Sequence, residues 1–128
     1  MRKLFKTLFA IVIIFAVIIA SAIVIVGIRM TGQVKAFDKS EIDIAQVADG
    51  VYDGHSETDL VKVDVRVTIS SGKIRNVEIL RHECGKGHPA EVIVDEMSRN
   101  NQIEVDAVTG ATMSSEVIKD AVRNALRE

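Results

Sequence analysis

Residues 61–81 read VKVDVRVTISSGKIRNVEILR, and this stretch decides the fold. Val61, Val63, Val65, Val67 and Ile69 alternate with Lys62, Asp64, Arg66, Thr68 and Ser70. A period of two sustained this long marks a strand with one buried and one wet face. Ser71-Gly72 is a tight-turn signal. Residues 73–81 then return as a second strand, with Val77 and Ile79 on one face. A hairpin of this kind makes an antiparallel sheet.

The pattern changes on the carboxyl-terminal side. Residues 81–88, RHECGKGH, form a polar, glycine-bearing loop. Pro89 suits the first turn of a helix. Ala90, Ile93, Val94 and Met97 fall at helical spacing, which predicts a helix over residues 89–99, ended by Asn100-Asn101. Ile103, Val105 and Ala107 alternate and predict a short strand. Val117, Ile118, Ala121, Val122, Ala125 and Leu126 define one side of a last helix that starts near Ser114. On the amino-terminal side, residues 49–54 (DGVYDG) read as a short extended piece between glycines. Two strands, a helix, a short strand and a helix give an α+β fold: a small antiparallel sheet with two helices.

Further out lies residues 8–28, LFAIVIIFAVIIASAIVIVGI, an unbroken run of 21 uncharged residues. At helical rise it spans a bilayer core. Ala20-Ser21-Ala22 resembles a signal-cleavage site, but more strongly apolar residues follow it, so a retained transmembrane helix is the better reading than a cleaved signal. Arg2, Lys3 and Lys6 crowd the short segment before the span, and Arg29, Lys35 and Lys39 follow it more sparsely. The basic tail leans towards a cytoplasmic amino terminus, with the carboxyl-terminal domain outside the membrane. The expected organisation is a basic tail (1–7), a transmembrane helix (8–28), a stalk (29–47) with a little helix near residues 42–47, and a folded domain (48–128).

From Arg29 onward the chain holds 13 basic and 18 acidic residues, a net charge of −5. An acidic domain is poorly suited to phosphate backbones, which argues against nucleic acid as a partner. Cys84 is the only cysteine, so no disulfide forms within the chain.

The chemistry concentrates in Asp106-Ala107-Val108-Thr109-Gly110-Ala111-Thr112. This reads as a sharp turn at the mouth of a helix, with the Thr112 hydroxyl presented there. A helix amino terminus carries unpaired N–H groups and partial positive charge, and an anionic phosphate is well placed beside it. Gly110 permits the tight turn. Ala111 is small enough to let a bulky partner approach. Ser114 and Ser115 are candidate donors to phosphate oxygens. A threonine hydroxyl is not nucleophilic by itself at neutral pH, and no His or Lys lies beside it in sequence, which points to modification by another enzyme. The ordinary alternative is a helix cap at Thr112 or Ser114 and a turn glycine at Gly110.

Five of the seven positions follow the pattern Asp, two free positions, Ser or Thr, Gly, Ala, Thr. The motif resembles the flavinylation motif of the FMN-binding domain family. The resemblance covers roughly residues 50–126. It takes in the Asp-Gly-x-Tyr-x-Gly opening at residues 49–54, the long alternating strand, the Ser-Gly-Lys-Ile hairpin, His82 closing the second strand, and the glycines at Gly85 and Gly87. It implies FMN joined through its phosphate to Thr112 by a separate flavin transferase. Thr109 stands where Ser also occurs, and Asp106 is implied as a recognition or turn-fixing carboxylate. His82 and the loop glycines are implied to line the flavin ring, with a plain surface loop as the alternative. The loop is shorter than in the subunits of the sodium-pumping NADH:quinone reductase and the Rnf complex, and carries Cys84 where they usually place Thr. The chain therefore resembles the small stand-alone form.

Past the span only Phe37 and Tyr52 are aromatic. Tyr52 is the one candidate to stack on a flavin, with a core or edge role as its alternative. His82, Cys84 and His88 are of zinc-binding types, but they match no strong spacing and lack an evident fourth ligand, so no metal is assigned. The expected function is a membrane-anchored extracytoplasmic electron carrier with covalent FMN, served by a flavin transferase and by redox proteins upstream and downstream. It is expected to be an electron-transfer protein more than a stand-alone enzyme. The alternative is a non-covalent FMN- or other ligand-binding or sensory module on a membrane stalk.

Overall fold

The computed structural model describes residues 1–83 and 87–127. Its elements are α1 (Arg2–Lys35), β1 (Gly50–Glu57), β2 (Lys62–Ser70), β3 (Lys73–Glu83), α2 (Ile93–Asn100) and α3 (Thr112–Arg127), with 3-10 helices at Ile44–Gln46 and His88–Val92. Among the described residues the strands form one antiparallel sheet in the order β1-β2-β3. α3 packs on β1 and β2, and α2 on β3. The α+β architecture with an apolar amino-terminal helix is as the sequence predicts.

The β2–β3 hairpin follows from its residues. Val61, Val63, Val65, Val67 and Ile69 are all buried. The turn places Ser71 at φ 55° and Gly72 at φ 69°. Two left-handed residues match the twist of the flanking strands, as a type I′ turn does. β3 departs from simple alternation. Thr68 pairs with Asn76 and Ile69 with Ile74, leaving Arg75 as an extra residue; Asp64 pairs with Arg81 and Val65 with Ile79, leaving Leu80 as another. Each bulge shifts the phase by one residue. The inward set of β3 is thereby Ile74, Val77, Ile79 and His82, where unbroken alternation from Ile79 would have turned His82 to solvent.

β1 is a full strand, longer than the extended piece expected, paired from Gly50↔Ile69 to Glu57↔Lys62. Its inward positions are Gly50, Tyr52, Gly54 and Ser56, too polar and too small to register as an apolar period. Gly54 is the point of closest approach to α3. A Cβ there would stand 2.1 Å from the Ala121 carbonyl oxygen and 2.6 Å from the Ala125 nitrogen. Beside it Ser56 donates to Asp120 Oδ2 at 2.6 Å, and Asn124 Nδ2 donates to the His55 carbonyl at 2.8 Å.

Two expectations are corrected. Residues 103–107 do not form a strand: Ile103 and Val105 are buried, but the Val105 N–H bonds to the Ile103 carbonyl at 2.9 Å, a local closure that leaves no extended ladder. The second helix opens as a 3-10 turn at His88–Val92 before becoming α-helical, and ends at Asn101, which is left-handed (φ 53°). Asn101 also accepts from the Ile74 N–H at 2.8 Å, tying the end of α2 to the hairpin.

α1 is 34 residues long; residues 8–25 lie exposed along it, and Val26 is partly buried against the domain core. It is long and apolar enough to cross a membrane. At 1.5 Å per residue it extends well past a hydrocarbon core of about 30 Å. Its last turns meet the domain: Met30 and Val34 are buried. Gln33 Nε2 donates to Asp59 Oδ1 at 3.0 Å, and the Asp59 N–H returns a bond to Gln33 Oε1 at 3.1 Å. The first seven residues of the segment expected to be a stalk, 29–35, are thus the end of α1. The rest lies against the domain, where Ile44 is buried and Asp43 caps its short helix through the Ala45 N–H.

Gly54→Ala is expected to destabilise the full chain by about 1–3 kcal/mol or more, because helix and strand must separate to admit the methyl. Urea denaturation of the detergent-solubilised protein measures this. A midpoint equal to that of the parent would show that the helix does not rest on this strand as described.

Candidate functional site

α3 runs antiparallel to β1: Ser56 meets Asp120, while Gly54, earlier on the strand, meets Ala121 and Ala125. The start of α3 therefore lies towards the Glu57 end of the sheet. β3 finishes at this same end with His82 and Glu83. Thr112 and His82 share this end. Tyr52 does not. It lies by Ala125 near the other end of α3, partly buried, with its hydroxyl donating to the Ala48 carbonyl at 2.6 Å. The geometry gives Tyr52 the core-and-edge role and sets it apart from the Thr112 end.

The turn before α3 is tightly built. The Ala111 N–H bonds to the Val108 carbonyl at 2.9 Å. Gly110 sits at φ 83°, the value a type II turn requires at its third residue. Ser115, fully buried, donates to the Ala111 carbonyl at 2.8 Å and accepts from the Val108 N–H at 3.1 Å. Its hydroxyl is engaged in the turn and is not free for an outside group. Ser114 is buried beside it. Thr109 and Asp106 are exposed, and the Asp106 carboxylate makes no hydrogen bond among the described residues.

The mouth of the helix is open. The first N–H bonded in helical register is that of Ser115, to the Ala111 carbonyl at 3.0 Å. The N–H groups of Thr112, Met113 and Ser114 have no partner among the described residues. The residue ahead of them, Ala111, has no side-chain oxygen with which to cap them. Thr112 is exposed, and a Cβ at Gly110 would meet nothing within 4 Å. The turn ahead of the helix is open at Gly110, and the first-turn donors are uncapped. An oxyanion group on Thr112 fits this arrangement.

His82 was placed by sequence at the end of its strand. The Leu80 bulge aims its ring inward, and the side chain is 2% exposed. Its Nδ1 lies 2.9 Å from Glu91 Oε1, and its Nε2 is buried without a partner among the described residues. His88 Nδ1 lies 3.0 Å from the same Glu91 oxygen, and the two rings meet edge to face at 5.6 Å. Glu91 was not singled out in the sequence. Its helical register with His88 was the available signal. Gly87 is buried at the start of the 3-10 helix; Cys84 and Gly85 lie outside the described residues.

Residues 61–127 match the model of the FMN-binding domain family, slightly more than half of the chain. The chain belongs to this family. The match takes in β2, β3, α2 and α3, and with them the whole 106–112 segment and His82. No match is found among curated proteins. The FMN-binding domain is thus the part of the chain that presents the open helix mouth. A cleft of about 900 Å³ lies elsewhere, between residues 39–45 and 101–104; Arg123 lines it and Thr112 does not.

Hydrogen bonds from His82, then from His88, hold the Glu91 carboxyl below its ordinary value of 4.5, with burial acting in the opposite direction. A depressed folded-state pKa adds stability that is present above the ordinary value and is lost as pH falls through the lower one. In chelator-containing buffer the urea midpoint is expected to fall below about pH 4.5, and Glu91→Gln to make that fall shallower. An acid limb identical in parent and variant would contradict this role for Glu91.

Proposed function

We propose that this protein is a membrane-anchored electron carrier whose FMN is attached covalently through a phosphoester to Thr112. The observation that carries the reading is the exposed Thr112 hydroxyl at a helix mouth with no capping side chain. Attachment forms one Oγ1–P bond and, in sum, removes one water from FMN and threonine. No histidine or lysine adjoins Thr112 in sequence, so a separate flavin transferase supplies the base. Asp106, exposed and unbonded, is then a carboxylate for that enzyme to recognise. Thr109, Gly110 and Ala111 form the turn it reads.

When bound, the flavin supplies the electron transfer itself. The chain's residues hold and orient it. The free N–H groups of Thr112, Met113 and Ser114 take the phosphate. Ser115 keeps the turn in the shape that aims these donors. The tether turns ring binding into an intramolecular event at roughly millimolar effective concentration. A site with little aromatic surface can therefore retain its cofactor.

The apolar helix anchors the carrier, with the amino terminus in the cytoplasm and the domain outside the membrane. Redox proteins upstream and downstream are its partners. The acidic domain supports neither nucleic acid nor anionic headgroups as ligands.

Intact-mass measurement of the full chain co-produced with a flavin transferase is expected to show a gain equal to FMN minus water. Thr112→Val is expected to abolish that gain and the in-gel flavin fluorescence. Fluorescence retained in the variant would overturn the site, and a parent without the mass gain would overturn covalent attachment.

A further inference from the structure

The group formed by His82, His88 and Glu91 is not accounted for by flavin attachment. One nitrogen of each ring and a carboxylate oxygen lie within 4.8 Å of one another. Both Nδ1 atoms already converge on Glu91 Oε1, at 2.9 and 3.0 Å. Ligands around a tetrahedral zinc at metal–ligand distances of 2.0–2.2 Å stand about 3.3–3.5 Å apart. The present spacing is short of that by a few tenths of an ångström, which small swings of the exposed His88 and Glu91 side chains supply. Their side chains are 68% and 41% exposed, so an ion reaches them from solvent and a water completes the set. Buried His82 fixes the inner ligand.

Charge separates this group from the other histidine cluster. His55 also faces two carboxylates, Asp64 and Glu57, but Arg81 already pairs with Asp64 at 2.7 Å, and Lys62 stands 3.9 Å from Glu57. Those cations repel an ion and occupy its ligands. Among the described residues no lysine or arginine pairs with Glu91. Two neutral imidazoles and one carboxylate carry a single negative charge, suited to a divalent cation, and an N₂O donor set favours zinc among them.

We propose that His82, His88 and Glu91 form a three-ligand site for a divalent transition metal of the zinc class. On binding, each neutral ring carries its proton on Nε2 and offers the Nδ1 lone pair to the ion, which takes a water as fourth ligand. It clips the end of β3 to the 3-10 helix at His88–Val92, holding the two ends of the loop between them at the sheet end that carries Thr112. The site stands on these side chains alone and does not require the flavin.

The test uses metal-free, detergent-solubilised full chain produced without a flavin transferase, dialysed against buffered Zn²⁺. One zinc per chain is expected, with a rise in melting temperature. His88→Ala and Glu91→Gln, both partly exposed and so compatible with folding, are each expected to weaken zinc binding at least about tenfold and to remove the thermal shift. His55→Ala is expected to bind as the parent does. Absence of stoichiometric zinc in the parent overturns the site. Loss confined to only one of the His88 and Glu91 variants overturns this ligand set, as does loss in His55→Ala.

Discussion

The structure depends on one close contact: the backbone of α3 lies against the backbone of β1 with only hydrogen at Gly54 between them. A helix that close to a strand cannot slide or rotate freely, and Ala121 and Ala125 supply the small surface it needs on its side. The Ser56–Asp120 bond then fixes the register along the axis. Once α3 is pinned in this way, the position of its first turn follows. Thr112 is presented at one end of the sheet because a packed contact two to three turns further along leaves it no other place.

The helix mouth fits the same logic. A helix usually satisfies its first N–H groups with a side chain from the residue just before it. Here that residue is Ala111, and Ser115 turns back to bind the preceding turn. The local geometry is thus fully determined by internal bonds while the donors themselves stay unspent. A rigid frame around unsatisfied donors is the arrangement expected of a site that receives an anion, and it differs from a merely frayed helix end.

Much of this was legible in the residues. The β2–β3 hairpin could be read because five inward branched residues alternate without a break. α3 could be read because its apolar positions keep a helical period. β1 was muted because its inward face is Gly50, Tyr52, Gly54 and Ser56, residues chosen for close approach and hydrogen bonding and not for apolarity. The strand at 103–107 was misread because alternation alone does not supply a partner edge. The inward turn of His82 was hidden by the Leu80 bulge, a backbone event that leaves no mark in a pattern of residue types. Glu91 escaped notice since its meaning comes from two rings brought to it across a chain reversal.

The paired amide bonds between Gln33 and Asp59 have a mechanical consequence. They join the apolar helix to the β1–β2 loop only five residues beyond Ile28, about 7.5 Å along the helix. The domain is thereby held at a fixed place along the helix, as on a post and not as a ball on a chain. That loop joins β1 to β2 at the sheet end towards which α3 begins, so the end of the domain that bears Thr112 is also the end tied to the apolar helix. Whatever reaches that tip must therefore approach it beside the helix, with the post as one wall of its path.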